Sequence, residues 1–114
     1  MRTEFLRQHP EVVEQWLRTH IDLTDWINAH PADAKRALNG EIQENTGKAL
    51  PAAELDEAIA RLTPTWDPLR YTLAVSAQSS VNAGVSHCLP DLSGLYDLTL
   101  LNQIVTEKKR KVIP

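Results

Sequence analysis

The stretch "PEVVEQWLRTHIDLTDWIN", residues 10 to 28, decides the fold. Val13, Trp16, Leu17, His20, Leu23, Thr24 and Ile27 recur there at steps of three and four, while Glu11, Glu14, Arg18, Asp22 and Asp25 fall largely elsewhere. That period belongs to an amphipathic helix. Pro10 opens it, because proline is favoured at the first helical position, where its missing N–H would have no partner in any case.

Reading outward, the same punctuation recurs. Pro31, Pro51 and Pro68 each precede a stretch with helical spacing. From Pro31, the residues Ala34, Ala37, Leu38 and Ile42 share one side. Gly47 is placed as the C-terminal glycine, and Gly40 weakens the middle by about 1 kcal/mol relative to alanine. From Pro51, the residues Leu55, Ala58, Ile59 and Leu62 form an inner face that ends where Thr63-Pro64 forbids continuation. A fourth helix is expected from Pro68 to about His87. Its face of Leu69, Leu73, Ser76, Ser80 and Ala83 is small and partly polar, suited to close approach by a neighbour. After the loop "CLPDLSGLYD", Leu98, Leu101, Ile104 and Val105 mark a last helix from about Asp97 to Lys109, with Asp97 as its N-cap.

The expected fold is therefore mainly α: about five helices, one extended segment near residues 63–67, and a single helical domain over 1–114. That length is ordinary for one domain, and 42% apolar residues suffice for one core. "HPEVVEQWL" and "HPADAKRAL" agree only at the cap and a terminal leucine, which is too little for a repeat architecture.

Charge and composition exclude several functions. Twelve basic residues against 15 acidic ones give a net charge of −3 with no basic face, which argues against nucleic acid. The run "EKKRK" at 107–111 falls at a helix end, where cations complement the helix dipole. The single cysteine, Cys88, rules out an internal disulfide. The amino terminus has no apolar signal-like region, so the chain as written is expected to be cytoplasmic, and no stretch suits membrane insertion.

Chemistry-bearing clusters are equally sparse. His9 and His30 precede helix-starting prolines and read as cap or loop residues, and His20 lies on the stripe of the first helix. No histidine pair or cysteine motif has metal-ligand spacing, so neither a metal nor a cofactor is expected. Ser76, Ser79, Ser80, His87 and Asp91 contain the letters of a hydrolase triad, but no nucleophile elbow presents a serine. Glu11 with Glu14 and Glu54 with Glu57 sit in first turns, where they favour the dipole. A catalytic role is not expected.

The interruption "TPTWDPL", residues 63–69, offers the one candidate ligand contact. Trp66 and Thr65 lie in an extended stretch ahead of a helix start, placed to line a pocket for a small acid. Asp67 is expected to cap the helix that Pro68 begins.

Three ordered segments, "EFLRQHPEVVEQWLRTHIDLTDWINAHPADAKRALNGEI", "TPTWDPL" and "PDLSGLYDLTLLNQIV", resemble the carboxy-terminal third of the periplasmic solute-binding proteins of ABC importers for sulfonates, nitrate and taurine. The aliphatic-sulfonate branch is the nearest. The first segment is similar to that family's F-L-x-x-H-P-E-x-V helix opening and its W-I-N-x-x-P-x-x-A continuation, and the last to its D-L-S-G-L-Y-D-L-x-L-L-N ending. The resemblance runs from about Thr3 to Glu107. It implies the helical part of a two-lobed binding protein that captures a small anion in a cleft and delivers it to a membrane permease. It also implies a periplasmic location for the full-length parent, with most anion-contacting residues in lobes outside this stretch. The helices here would then be without the lobe they pack on, so self-association into a homo-oligomer is expected.

Overall fold

The computed structural model describes residues 1–114. It is mainly helical, with 64% of residues in six helices and no strands. The helices are α1 (Thr3–Gln8), α2 (Pro10–Ala29), α3 (Pro31–Thr46), α4 (Ala52–Ala60), α5 (Arg70–Asn82) and α6 (Thr99–Glu107). No helix is long and apolar enough to cross a membrane.

Two compact units divide the chain: Met1–Arg18 with Asp67–Pro114, and Thr19–Trp66. In the first, Val13, Leu101, Ile104, Val105 and Ile113 are buried; in the second, Ile21, Leu55 and Thr24 are. Thr24 is a polar residue among them, and its hydroxyl donates to the His20 carbonyl at 2.7 Å. That bond removes the cost of an unmatched buried hydroxyl.

Prolines 10, 31 and 51 do mark helix starts. The junctions ahead of α2 and α3 share one construction. His9 and His30 precede the prolines with φ/ψ of −136°/53° and −130°/59°, outside the helical region that a following proline disfavours. Each histidine N–H still closes the preceding helix on the carbonyl of Phe5 or Trp26, at 2.9 and 2.8 Å. Each ring also lies against that same aromatic residue, with centroids 5.0 and 5.7 Å apart. The helix α1 that this exposes is six residues long, too short to show a period in the sequence. Gly47 closes α3 in the left-handed conformation, φ 79°, as its position suggests.

Several expectations are corrected. The buried face of α2 is not the stripe through Trp16, His20 and Leu23. It runs through Val13, Leu17, Ile21 and Thr24, with Ile21 fully enclosed. Trp16 is 60% exposed and Leu23 51%. The helix is apolar on two flanks, and the period alone cannot say which flank meets the core. The third predicted helix ends at Ala60, leaving Leu62 exposed rather than on an inner face.

The fourth predicted helix is shorter at both ends, Arg70–Asn82 rather than 68 to 87. Asp67 does not cap it. Its carboxylate accepts the Leu69 N–H at 2.8 Å in a turn ahead of the helix, and Leu69 itself is the N-cap residue, in a left-handed conformation at φ 51°. At the other end Gly84 takes φ 72°, and the Val85 and Ser86 N–H groups both fold back to the Ser80 carbonyl. Such a left-handed glycine ends a helix. The small-residue face of α5 buries nothing.

The last helix lies just inside its predicted bounds. Asp97 accepts the Thr99 N–H at 3.0 Å, one step before the N-cap residue Leu98. At its end, Lys109 adopts φ 55° and the Arg110 N–H reaches the Val105 carbonyl at 2.7 Å, a glycine-type termination made by a lysine. The charge run is not wholly solvated: Glu107 accepts a hydrogen bond from Arg18, which also binds Glu14 on its own helix.

The Glu107 carboxyl is held below its ordinary range chiefly by the Arg18 hydrogen bond, and then by Gln103. Asp97 is lowered in the same way by the Thr99 hydroxyl and N–H. A carboxyl lowered in the folded state binds fewer protons there than in the unfolded chain. Its contribution to stability is therefore complete above the unfolded value and is lost as pH falls through the folded one. Thermal unfolding followed by circular dichroism is expected to show a melting temperature that is flat near neutrality and falls below the ordinary carboxyl range. Arg18→Met should make that acid fall shallower. An equal fall in both proteins would mean that the Arg18–Glu107 pair contributes nothing.

Candidate functional site

The predicted contact residues sit on a short connection between helices. Trp66 is half-buried and Thr65 exposed. The segment is tied down by the Asn28 side chain, whose amide donates to the Pro64 carbonyl at 3.2 Å. Neither Trp66 nor Thr65 lines any of the cavities described below. The segment carries no regular secondary structure.

Within the second unit, an apolar groove of about 480 Å³ lies where the end of α2, α3, α4 and residues 62–64 converge. Leu23, Trp26, Ala34, Leu38, Ile59 and Leu62 form most of its walls. Its single charge, Lys35, is already paired with Asp56 of α4. Its lining is otherwise uncharged. On α3 and α4 a second cavity of about 500 Å³ is more polar, with Lys35, Arg36, Asn39, Gln43 and Asp56 among its residues. Two of its charges are also paired, Lys35 with Asp56 and Arg36 with Asp33.

The first unit holds a cavity of about 610 Å³ lined by Leu6, Val13, Leu17 and Leu100 together with Arg2, Asp97 and Thr99. Arg2 is within 3.4 Å of Glu4, and Asp97 is committed to Thr99. The polar groups there serve local structure.

Residues with catalytic letters are not brought together. Ser80 and Ser86 share a hydrogen bond of 2.8 Å, so the most enclosed serine hydroxyl is matched with another hydroxyl. Cys88 is free and exposed, and His87 is exposed beside it. No group of three or more His, Cys, Asp or Glu side chains is arranged to hold a metal ion.

What sequence reasoning did not locate is which apolar side chains stay exposed. Val12, Trp16, Leu23, Trp26, Leu38, Leu62, Tyr71 and Val75 all lie open to solvent. The available signal was the second apolar flank of α2, where Val12, Trp16, Leu23 and Trp26 repeat at helical steps alongside the buried set.

Comparison of the chain with protein-family models, with curated proteins and with solved structures gives no match.

Proposed function

We propose that this chain is the helical carboxy-terminal part of a small-anion-binding protein of the sulfonate, nitrate and taurine importer class. In this reading it acts by packing against another polypeptide surface, and it neither encloses an anion by itself nor catalyses a reaction. The motif resemblance supports the class. The exposed apolar side chains support the mode of action, because apolar surface of that kind is suited to a partner. In the full-length parent, that partner is a lobe of the same protein, and the anion's other contacts and the permease belong to the assembled form.

Titration calorimetry tests it. Alkanesulfonates, taurine and nitrate are each expected to give no binding heat with this chain, and the Trp66→Ala variant should behave identically. Saturable heat that Trp66→Ala removes would overturn the reading and restore Trp66 as a ligand contact.

The second reading is a free-standing self-association module. One observation favours it: the exposed apolar surface includes a continuous stripe along a single helix, Val12, Trp16, Leu23 and Trp26 of α2, of a kind that pairs readily with another helix.

A further inference from the structure

The chain holds one Asn-Gly pair, Asn39 with Gly40; its other asparagines, Asn28, Asn45, Asn82 and Asn102, precede alanine, threonine, alanine and glutamine. Gly40 lies inside α3, where glycine weakens a helix relative to alanine. Nothing in the fold requires it there. Its backbone is not among the left-handed positions, and a Cβ at residue 40 would meet no atom within 4 Å. What the glycine does supply is an unhindered backbone nitrogen next to a side-chain amide.

That amide is fastened on both sides. Asn39 donates to the Leu50 carbonyl at 3.0 Å and accepts the Leu50 N–H at 2.8 Å, which ties the middle of α3 to the residue before Pro51 and α4. A second tie joins the same two helices, Lys35 of α3 to Asp56 of α4.

We propose that Asn39 and Gly40 form a self-modifying site, at which the Gly40 nitrogen converts the Asn39 amide into a succinimide and then into an aspartyl or isoaspartyl residue, and that α3 and the Leu50 clamp gate it. The reaction needs only water. The Gly40 N–H gives its proton to solvent, and the nitrogen's electron pair forms a bond to Asn39 Cγ. The Cγ–Nδ2 bond then breaks, and the side-chain nitrogen leaves as ammonia with a proton taken back from solvent. Water adds to one of the two ring carbonyls and opens the ring, which leaves the new carboxylate either on the ordinary side chain or, in the isoaspartyl form, on the former backbone carbonyl carbon.

The gate follows from geometry. Inside α3 the Gly40 N–H is committed to the Arg36 carbonyl by the helical pattern, and the Asn39 ψ has to leave the helical region before a five-membered ring can close. The side chain has to leave Leu50 as well. Both conditions are met when the middle of α3 opens locally, and bonds exposed to solvent, as these clamp bonds are, open at lower free energy than a core. The product then acts on the same connection. It removes the donor to the Leu50 carbonyl and sets a carboxylate three and four residues after Arg36 and Lys35, where it competes with Asp33 and Asp56 for them. Both ties between α3 and the α4 segment are weakened, and the change is irreversible. The modified fraction therefore records how long the connection has stood open. This site is independent of the importer-class and self-association readings.

Ageing the protein in mildly alkaline buffer, with peptide mapping by mass spectrometry and isoaspartyl-specific methyl transfer as readouts, tests it. In urea, position 39 should be modified before every other asparagine. In the folded protein the same product should form at least about tenfold more slowly, the factor that corresponds to about 1.4 kcal/mol of opening. Gly40→Ala, whose methyl group has open space in the fold, should slow the reaction in urea and in buffer alike. Gly47→Ala strains the left-handed end of α3 at φ 79° without meeting any atom, and should bring the folded rate toward the urea rate. Ile104→Ala, in the other unit, should leave the folded rate unchanged.

Earlier modification of another asparagine in urea, or a Gly40→Ala rate equal to that of the parent, would overturn the site. Equal rates in buffer and urea, or a folded rate that Gly47→Ala leaves unchanged, would overturn the gate. Acceleration by Ile104→Ala as large as that by Gly47→Ala would assign the opening to unfolding of the whole chain and overturn the gate too.

Discussion

Ile104→Ala is expected to destabilise the protein by about 3–4 kcal/mol, the larger part of the range for truncating a fully enclosed aliphatic side chain. Ile104 has no exposed surface, and its neighbour in sequence, Val105, has none either. The helix that carries them has nine residues. An isolated helix of that length is unstable in water, so α6 owes its existence to the burial of its inner face. The first unit has few other buried apolar residues to compensate: Val13, Leu101, Val105 and Ile113. Native domains have only about 5–15 kcal/mol in hand, so the loss should be a large fraction of the total. Urea denaturation followed by far-ultraviolet circular dichroism measures it. Ile104→Val should cost about 1 kcal/mol on the same axis, because it removes one methyl group and leaves a smaller void. Val112→Ala, at a half-exposed position beside the buried Ile113, should cost much less than Ile104→Ala. If Ile104→Ala and Val112→Ala proved equal, α6 would not be the centre of this unit.

Much of this helical layout is legible from proline and glycine positions. Pro10, Pro31 and Pro51 mark starts and Gly47 marks an end because backbone restriction acts locally and leaves its trace in one residue. The start of α5 is not legible for a related reason. Pro68 offers the usual signal, but Leu69 occupies a left-handed conformation, and nothing in a leucine announces that. The core face of α2 is illegible on different grounds. Ile21 and Leu23 are equally apolar, yet one is enclosed and the other half exposed, a choice made by tertiary packing and not by the period. The groove beside Trp26 draws its walls from α2, α3, α4 and Pro64, so no single stretch of sequence contains its signature. Trp66 is the conspicuous letter in its segment, and a tryptophan between prolines reads the same in a sequence whether or not a cavity surrounds it.

Asn102→Ala is expected to cost about 2–3 kcal/mol and to release the carboxy-terminal residues. The Asn102 amide donates to the Ile113 carbonyl at 2.9 Å, and its carbonyl accepts the Ile113 N–H at 2.9 Å. One side chain thus satisfies both backbone groups of a residue eleven positions further on, and Ile113 is buried. With alanine at 102, both backbone groups lose a partner in a partly enclosed site, and an unmatched buried polar group costs about 1–3 kcal/mol. The same construction occurs at Asn39, which donates to the Leu50 carbonyl at 3.0 Å and accepts the Leu50 N–H at 2.8 Å. There the bonds are exposed, and Leu50 is itself 38% exposed. Water can replace the lost amide, so Asn39→Ala should cost only about 1 kcal/mol. The contrast isolates burial from geometry, since the two sites share one hydrogen-bond pattern. Asn102→Asp separates them further: it keeps an acceptor for the Ile113 N–H but turns a carboxylate toward the Ile113 carbonyl, and should cost nearly as much as alanine at neutral pH while recovering at low pH as the carboxyl protonates and can donate. Equilibrium unfolding gives the energies, and the rate at which carboxypeptidase removes the last residues reports release of the tail. Equal costs at Asn39 and Asn102 would mean that the carboxy-terminal strap is as open to water as the loop after α3, and that Ile113 does not anchor it.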